Sequence, residues 1–236
     1  MSVRASAIAA IATLAVLIGC STQTKEDGTA ARIVVYGDSM MDWNSERGAS
    51  TPDALAKLLN EPVENRALTA ARISHPYNPL FDIRKQEVAG PWDVAIVNGG
   101  ANDMLLECGC GPCARNLTRL ISKDGQTGQI PDFLRKLQSQ GTHVIFTGYH
   151  RPRQMNTPLR GCGDEIDVLE TRIRKLSATE PNISFARLDD VFPAGDTSFY
   201  DVDRFHPSEK GSAVMAQALL PYVQKALEPT SEPDGG

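Results

Sequence analysis

Aromatic side chains are scarce in this 236-residue chain: two Trp, five Tyr and seven Phe make up 6% of it. Positive charge is short as well, with 24 Lys and Arg against 29 Asp and Glu and a formal net charge of -5. A nucleic-acid binder needs a basic stripe, often with aromatic platforms between the charges, and this composition offers neither, so nucleic acid is excluded as an expected partner. No internal repeat or low-complexity block interrupts the central region, which removes repeat architectures. Histidine is limited to four positions, 75, 143, 150 and 206. Each can therefore be weighed singly as a general base.

The first twenty residues carry an address. Arg4 gives a positive start, an Ala/Ile/Leu/Val stretch follows, and Leu17-Ile18-Gly19-Cys20 closes it. That pattern reads as a secretory signal rather than a membrane span, and its end resembles a bacterial lipobox. The expectation is a lipoprotein signal peptide over 1–19, with Cys20 acylated as the mature N-terminus. Ser21 after it suggests no inner-membrane retention. The expected location is the bacterial cell envelope, lipid-anchored at the periplasmic face of the outer membrane. The competing reading is an ordinary cleaved signal and a soluble periplasmic protein. Residues 20–30, with Lys25, Glu26 and Asp27, read as a polar tether, and 228–236, rich in Pro, Gly and acid, as a disordered tail. Between them, 31–227 is long enough for one domain with one substantial core.

Within that domain, short apolar runs alternate with helix-like segments. Ile33-Val34-Val35-Tyr36, bounded by Gly37, suits a strand buried on both faces, and 63–68, 93–98, 143–147 and 183–188 repeat the pattern. Segments 52–59, 130–140, 164–178 and 208–227 read as helices. Strand alternating with helix implies a parallel sheet with right-handed crossovers, an α/β architecture with helices on both faces. The chemistry-bearing residues all follow strands. Ser39 follows the first, Ala70 the second, Asn102 the third, Tyr149 and His150 the fourth, Asp203 and His206 the fifth. In a parallel sheet these ends share one edge, where open α/β folds bind ligands.

The motifs themselves are Gly37-Asp38-Ser39, a block from Asn65, Gly100-Ala101-Asn102-Asp103 and Asp203-Arg204-Phe205-His206. A serine, a histidine and a carboxylate three residues before it can together make a hydroxyl nucleophilic at neutral pH. Met41 stands where G-x-S-x-G requires its second glycine, which excludes the α/β-hydrolase nucleophile elbow. In order and spacing the blocks resemble those of the SGNH (GDSL-type) hydrolase family over roughly residues 33–226. The resemblance implies a three-layer α/β/α sandwich with a flavodoxin-like five-stranded sheet in the order 2-1-3-4-5. It also implies a metal-free, cofactor-free ester hydrolase. Ser39 would be the nucleophile, His206 the base and Asp203 the orienting acid. Oxyanion donors would be the backbone N–H groups of Ser39 and Ala70 and the side chain of Asn102. At residue 70 the family usually has glycine; alanine retains the N–H, so the role survives unless the site needs a positive φ.

Blander readings accompany each residue. Ser39 could be a helix N-cap, and Asn102 an Asx-turn. Asp38 and Asp103 suit capping and loop hydrogen bonds. Asp201 is a rival to Asp203, disfavoured by spacing. Among the other histidines only His150 suits a pocket, with exposure on a loop expected. Trp43, Asn44 and the 149–159 loop with Arg151 and Arg153 are candidates for the mouth of the pocket.

Cys108, Cys110, Cys113 and Cys162 form the second unusual feature. The embedded C-G-P-C resembles a thioredoxin site, but its flanks do not, and an exported protein favours structural disulfides. Four cysteines allow three pairings, and a four-thiolate zinc site competes with them. Either staple would rigidify the loop expected after Asn102. The leading functional expectation is an esterase or O-deacylase, possibly lipase-like, acting on a small-molecule or glycan-borne ester. An O-acyltransferase on cell-envelope glycans, or a noncatalytic glycan- or lipid-binding lipoprotein, are the alternatives.

Overall fold

The computed structural model describes residues 30–151 and 160–228. The expected signal peptide, Cys20, the tether before Ala30, Arg153 and residues 229–236 lie outside the described residues. Five parallel strands form one sheet in the order β2-β1-β3-β4-β5. They are β1 (Ile33–Tyr36), β2 (Val63–Asn65), β3 (Val94–Val97), β4 (His143–Thr147) and β5 (Ile183–Ala186). β1 and β3 are buried at every position, as their unbroken apolar runs require of central strands covered on both faces.

Among the described residues the α-helices are α1 (Ser39–Asp42), α2 (Thr51–Leu59), α3 (Ala101–Cys108), α4 (Ala114–Leu120), α5 (Gln129–Gln138), α6 (Gly163–Ser177) and α7 (Glu209–Leu227). α2 starts on a capping box, in which the Ser50 hydroxyl accepts from Asp53 N–H and the Asp53 carboxylate accepts from Ser50 N–H. Ser208 caps α7 in the same position by accepting from Gly211 N–H. α2 packs against α7, while α5 and α6 pack on β4 and β5. Among the described residues no helix is long and apolar enough to cross a membrane.

Two expectations change here. Asn102 was expected to open a loop stiffened by the cysteines; instead it sits in the first turn of α3, and the cysteine cluster closes that helix. Gly100 makes the abrupt strand-to-helix entry possible. Its φ is 109°, and a Cβ there would meet the Leu169 side chain at 2.8 Å. The cysteines pair as Cys108–Cys113 and Cys110–Cys162. All four sulfurs are taken up in these two bridges. Cys110–Cys162 closes the longer loop, 52 residues against 5. Loop-closure entropy then gives it about 4 kcal/mol against about 2 kcal/mol for the local bridge. It fastens the end of α3 to the start of α6, and thereby the far end of the segment that follows β4.

Register brings the strand ends level: Tyr36 pairs with Val97, Val97 with Phe146, and Phe146 with Phe185. The strand order reverses between β1 and β3, the place where crossovers to opposite faces part and leave a crevice. α1 and α3 both begin at that crevice.

Candidate active site

Asp38, not Ser39, caps α1. Its Oδ1 accepts from Met40 N–H at 3.0 Å, so the blander reading of Ser39 falls to its neighbour. Ser39 becomes the first helical residue, and its hydroxyl is left for His206 Nε2, 2.8 Å away. On the other side of the ring, His206 Nδ1 lies 2.5 Å from Asp203 Oδ2. The three side chains, spread over residues 39 to 206, form one hydrogen-bonded chain.

A tight turn, not a helix, creates the D-x-x-H geometry. Asp201 N–H donates to His206 O and Ser208 N–H to Phe199 O, making a short antiparallel hairpin with Arg204 at φ 56° near its tip. Asp203 Oδ1 accepts from the N–H groups of both Phe205 and His206 at 2.9 Å. Partial burial pushes the Asp203 carboxyl up. The His206 hydrogen bond, the two backbone donors and the nearby imidazole outweigh it and hold the group below its ordinary value. Asp203 therefore remains an anion near neutral pH, the state that can fix the imidazole tautomer.

Asp201, the rival acid, is engaged elsewhere. Its Oδ2 accepts from the indole N–H of Trp43 at 2.8 Å, and its Oδ1 from Val202 N–H. The Trp43 ring in turn lies flat on His206, with centroids 3.8 Å apart and planes 5° apart. Asn44 is not at a pocket mouth as expected. It is buried and donates to Pro207 O and Ser212 Oγ, both at 3.0 Å, tying the segment after α1 to the histidine loop.

The block after β2 is joined to α1 by Asp42, a side chain that sequence reasoning gave no role, and to α3 by Asn102 and Asp103. Asp42 Oδ2 accepts from Thr69 N–H and Thr69 Oγ1–H, holding the turn that contains Ala70 against the serine helix. Asn102 Nδ2 donates to Ala71 O at 2.9 Å, so one hydrogen of its amide grips the same turn and the second meets no acceptor among the described residues. Asp103 accepts from Ile73 and Ser74 N–H groups, a loop-holding role as expected. Ala70 has φ 65°, the left-handed region in which a Cβ costs about 1 kcal/mol. The position does need the positive φ that makes glycine usual there, and this chain carries the strain while keeping the N–H. Among the described residues neither Ser39 N–H nor Ala70 N–H meets a protein acceptor.

Below this layer, Tyr149 donates its hydroxyl hydrogen to Asp38 Oδ2 at 2.8 Å and accepts from Ala101 N–H at 3.2 Å. It thus wires the start of α1 to the start of α3. The side-chain amide of Gln86 exchanges two 2.8 Å hydrogen bonds with the backbone of Gly37. Nothing in the local sequence around Gln86 marks it for this. Burial raises both the Asp38 and Asp103 carboxyls to about 6, against the pull of their hydrogen bonds. Both are raised, so the native state holds more protons than the unfolded chain between about pH 4 and 6, and stability from these groups falls as pH rises through that window.

His150 overturns the expectation of an exposed loop residue. It is 4% exposed, packed among Phe192, Tyr200 and Phe205, and among the described residues neither ring nitrogen has a hydrogen-bond partner. Burial, aided by the charge of Arg151, drives its pKa down to about 3, so it stays neutral. Arg151 is not at a mouth either; its guanidinium pairs with buried Glu170 at 2.9 Å and caps Tyr149 O. His75 accepts from Asn78 N–H in its own turn, and His143 bonds Ser184 Oγ beside β5, away from this edge.

Comparison with known proteins bears on the family and the fold. The GDSL-like lipase/acylhydrolase family model matches residues 35–214. No curated protein sequence matches the chain. A member of the lipolytic G-D-S-L family from Veillonella parvula superposes with a TM-score of 0.60 at 15% identity, covering 82% of this chain and 98% of that one. A GDSL-like lipase from Bacteroides thetaiotaomicron gives 0.57 at 17% identity over 83% and 89%. A carbohydrate esterase family 2 enzyme with a carbohydrate-binding domain, from Corynascus thermopiles, gives 0.56 at 15% over 84% and 68%. At such identities these structures speak to the fold, which is that of SGNH hydrolases. The family match spans most of the chain and every block of the site, and the protein accordingly belongs to the GDSL-like lipase/acylhydrolase family as an ester hydrolase.

Proposed function

We propose that the protein cleaves carboxylic esters through an acyl-enzyme on Ser39. The observation that carries this reading is the continuous chain from Ser39 Oγ through His206 to Asp203, with spans of 2.8 and 2.5 Å. Ser39 Oγ attacks the acyl carbon while His206 Nε2 takes its proton, and Asp203 stabilises the imidazolium. The negative charge on the former carbonyl oxygen meets the N–H groups of Ser39 and Ala70 and the spare amide hydrogen of Asn102. Collapse expels the alcohol, which receives the proton from His206. Water, deprotonated by the same ring, then releases the carboxylic acid and restores Ser39.

Hydrolysis of a chain-length series of nitrophenyl esters, run beside acetylated cell-wall glycans, tests the proposal. Free carboxylic acid is the expected product even with a sugar acceptor present. An acylated acceptor as the main product moves the protein to acyl transfer, and intact ester throughout moves it to noncatalytic binding. Asn102→Ala is expected to lower kcat by about a hundredfold to a thousandfold with a smaller change in KM, because its donor acts on charge present only in the transition state. A loss confined to KM makes Asn102 a substrate-binding residue instead.

We further propose, from the sequence of residues 1–20, that the mature chain starts at a lipidated Cys20 and works in the cell envelope. Mass analysis of the mature N-terminus is expected to show acylated Cys20. A soluble periplasmic protein without lipid rules the anchor out and leaves the ester chemistry untouched.

A further inference from the structure

Trp43 sits one turn after Ser39, its N–H donating to Ser39 O at 2.9 Å, and its indole covers the face of His206. The ring is locked in that pose at its far end, where the indole N–H meets Asp201 Oδ2 at 2.8 Å. Asp201 is held in turn by Val202 N–H and lies 3.9 Å from the Arg47 guanidinium. A tryptophan face carries the negative part of the ring quadrupole, and it attracts a cation more strongly than any other side-chain ring. The imidazole of His206 is neutral before Ser39 attacks and positive while it holds the proton.

We propose that Trp43 is a positioning residue that favours the imidazolium form of His206, with Asp201 orienting the indole. The inference rests on the reading of His206 as general base. The ring gains dispersion from the stack whether neutral or protonated, so that part cancels between ground and transition state. The attraction between the π face and the new positive charge does not cancel, and it therefore acts on kcat. Asp203 touches the ring edge and Trp43 its face, so the two act on the same charge from perpendicular directions. An acceptor on the indole N–H also adds electron density to the ring. Asp201 thus has a use that its position two residues before Asp203 does not disclose.

Trp43→Leu keeps apolar cover on the imidazole and removes the π face; Trp43→Phe keeps a smaller face and loses the N–H. For Leu, kcat is expected to fall about tenfold with KM within about twofold, the range open to one cation over a half-buried ring. The acid limb of the kcat/KM profile is expected to move to lower pH by about half a unit to one unit, since the protonated ring has lost a partner. Phe is expected to fall between Leu and the native protein in both readouts.

Titration of the His206 ring followed by NMR, in Ser39→Ala and in Ser39→Ala with Trp43→Leu, reads the stack without catalysis. A midpoint that moves down on adding Trp43→Leu supports the proposal. An unchanged midpoint with unchanged kcat overturns it, and so does a change confined to KM, which would make Trp43 a substrate wall. Should His206→Ala retain full turnover, the general-base reading fails, while the midpoint shift still reports whether indole and imidazolium interact.

Discussion

Ser39→Ala is expected to lower ester kcat by about four to six orders of magnitude while the protein remains folded. The chemistry loses the hydroxyl that bonds His206 Nε2, and what remains is the residual effect of the oxyanion donors and of binding. The fold loses little. The cap of α1 is the Asp38 carboxylate rather than the Ser39 hydroxyl, and the one side-chain hydrogen bond removed is the one to His206. Steady-state kinetics on protein purified free of host esterase, with a thermal melt beside them, make the comparison. More than about a tenth of native kcat in a folded variant would take Ser39 out of the reaction.

Asp203→Asn and Asp201→Asn are expected to differ by about three orders of magnitude. Asp203 gives one oxygen to two backbone N–H groups and the other to His206 Nδ1. An amide in its place can turn its NH₂ toward the ring, which selects the wrong tautomer and removes the anion facing the imidazolium. The loss in kcat should approach about ten-thousandfold. Asp201→Asn keeps an oxygen for the Trp43 indole N–H and removes only a charge one ring away from the imidazole. Its cost should be a few-fold. Equal losses, or the reverse order, would assign the orienting role to the wrong carboxylate.

The contrast between these two aspartates shows how far local sequence reaches. Both precede His206 within one turn, and only the spacing separated them. Spacing was enough because a tight turn is a local object, its geometry set by the backbone of residues 201–206. Trp43 was visible as an aromatic near the nucleophile, yet its contact with His206 joins residues 163 positions apart in the chain and has no periodic trace. The partners of Gln86, Asp42 and Asn44 were hidden for the same reason. His150 was misplaced because burial of a polar ring depends on what covers it, here Phe192, Tyr200 and Phe205 from after β5.

By itself the sequence determined a parallel α/β sheet and the edge on which the chemistry gathers, while the strand order was implied by the resemblance to the SGNH family. Unbroken apolar runs make central parallel strands, right-handed crossovers limit their order, and side chains placed after strand ends share that edge whatever the loops do. It also favoured disulfides among the four cysteines, on the expectation of export, though not which with which. Tertiary structure decided the rest, because it depends on distances between segments that no local pattern encodes. It chose Cys108–Cys113 and Cys110–Cys162 by proximity, turned Ala70 into the left-handed region, extended α3 through the presumed loop and laid an indole on His206. Those features follow from packing, where each side chain's position is fixed by neighbours drawn from the whole chain at close-packed density.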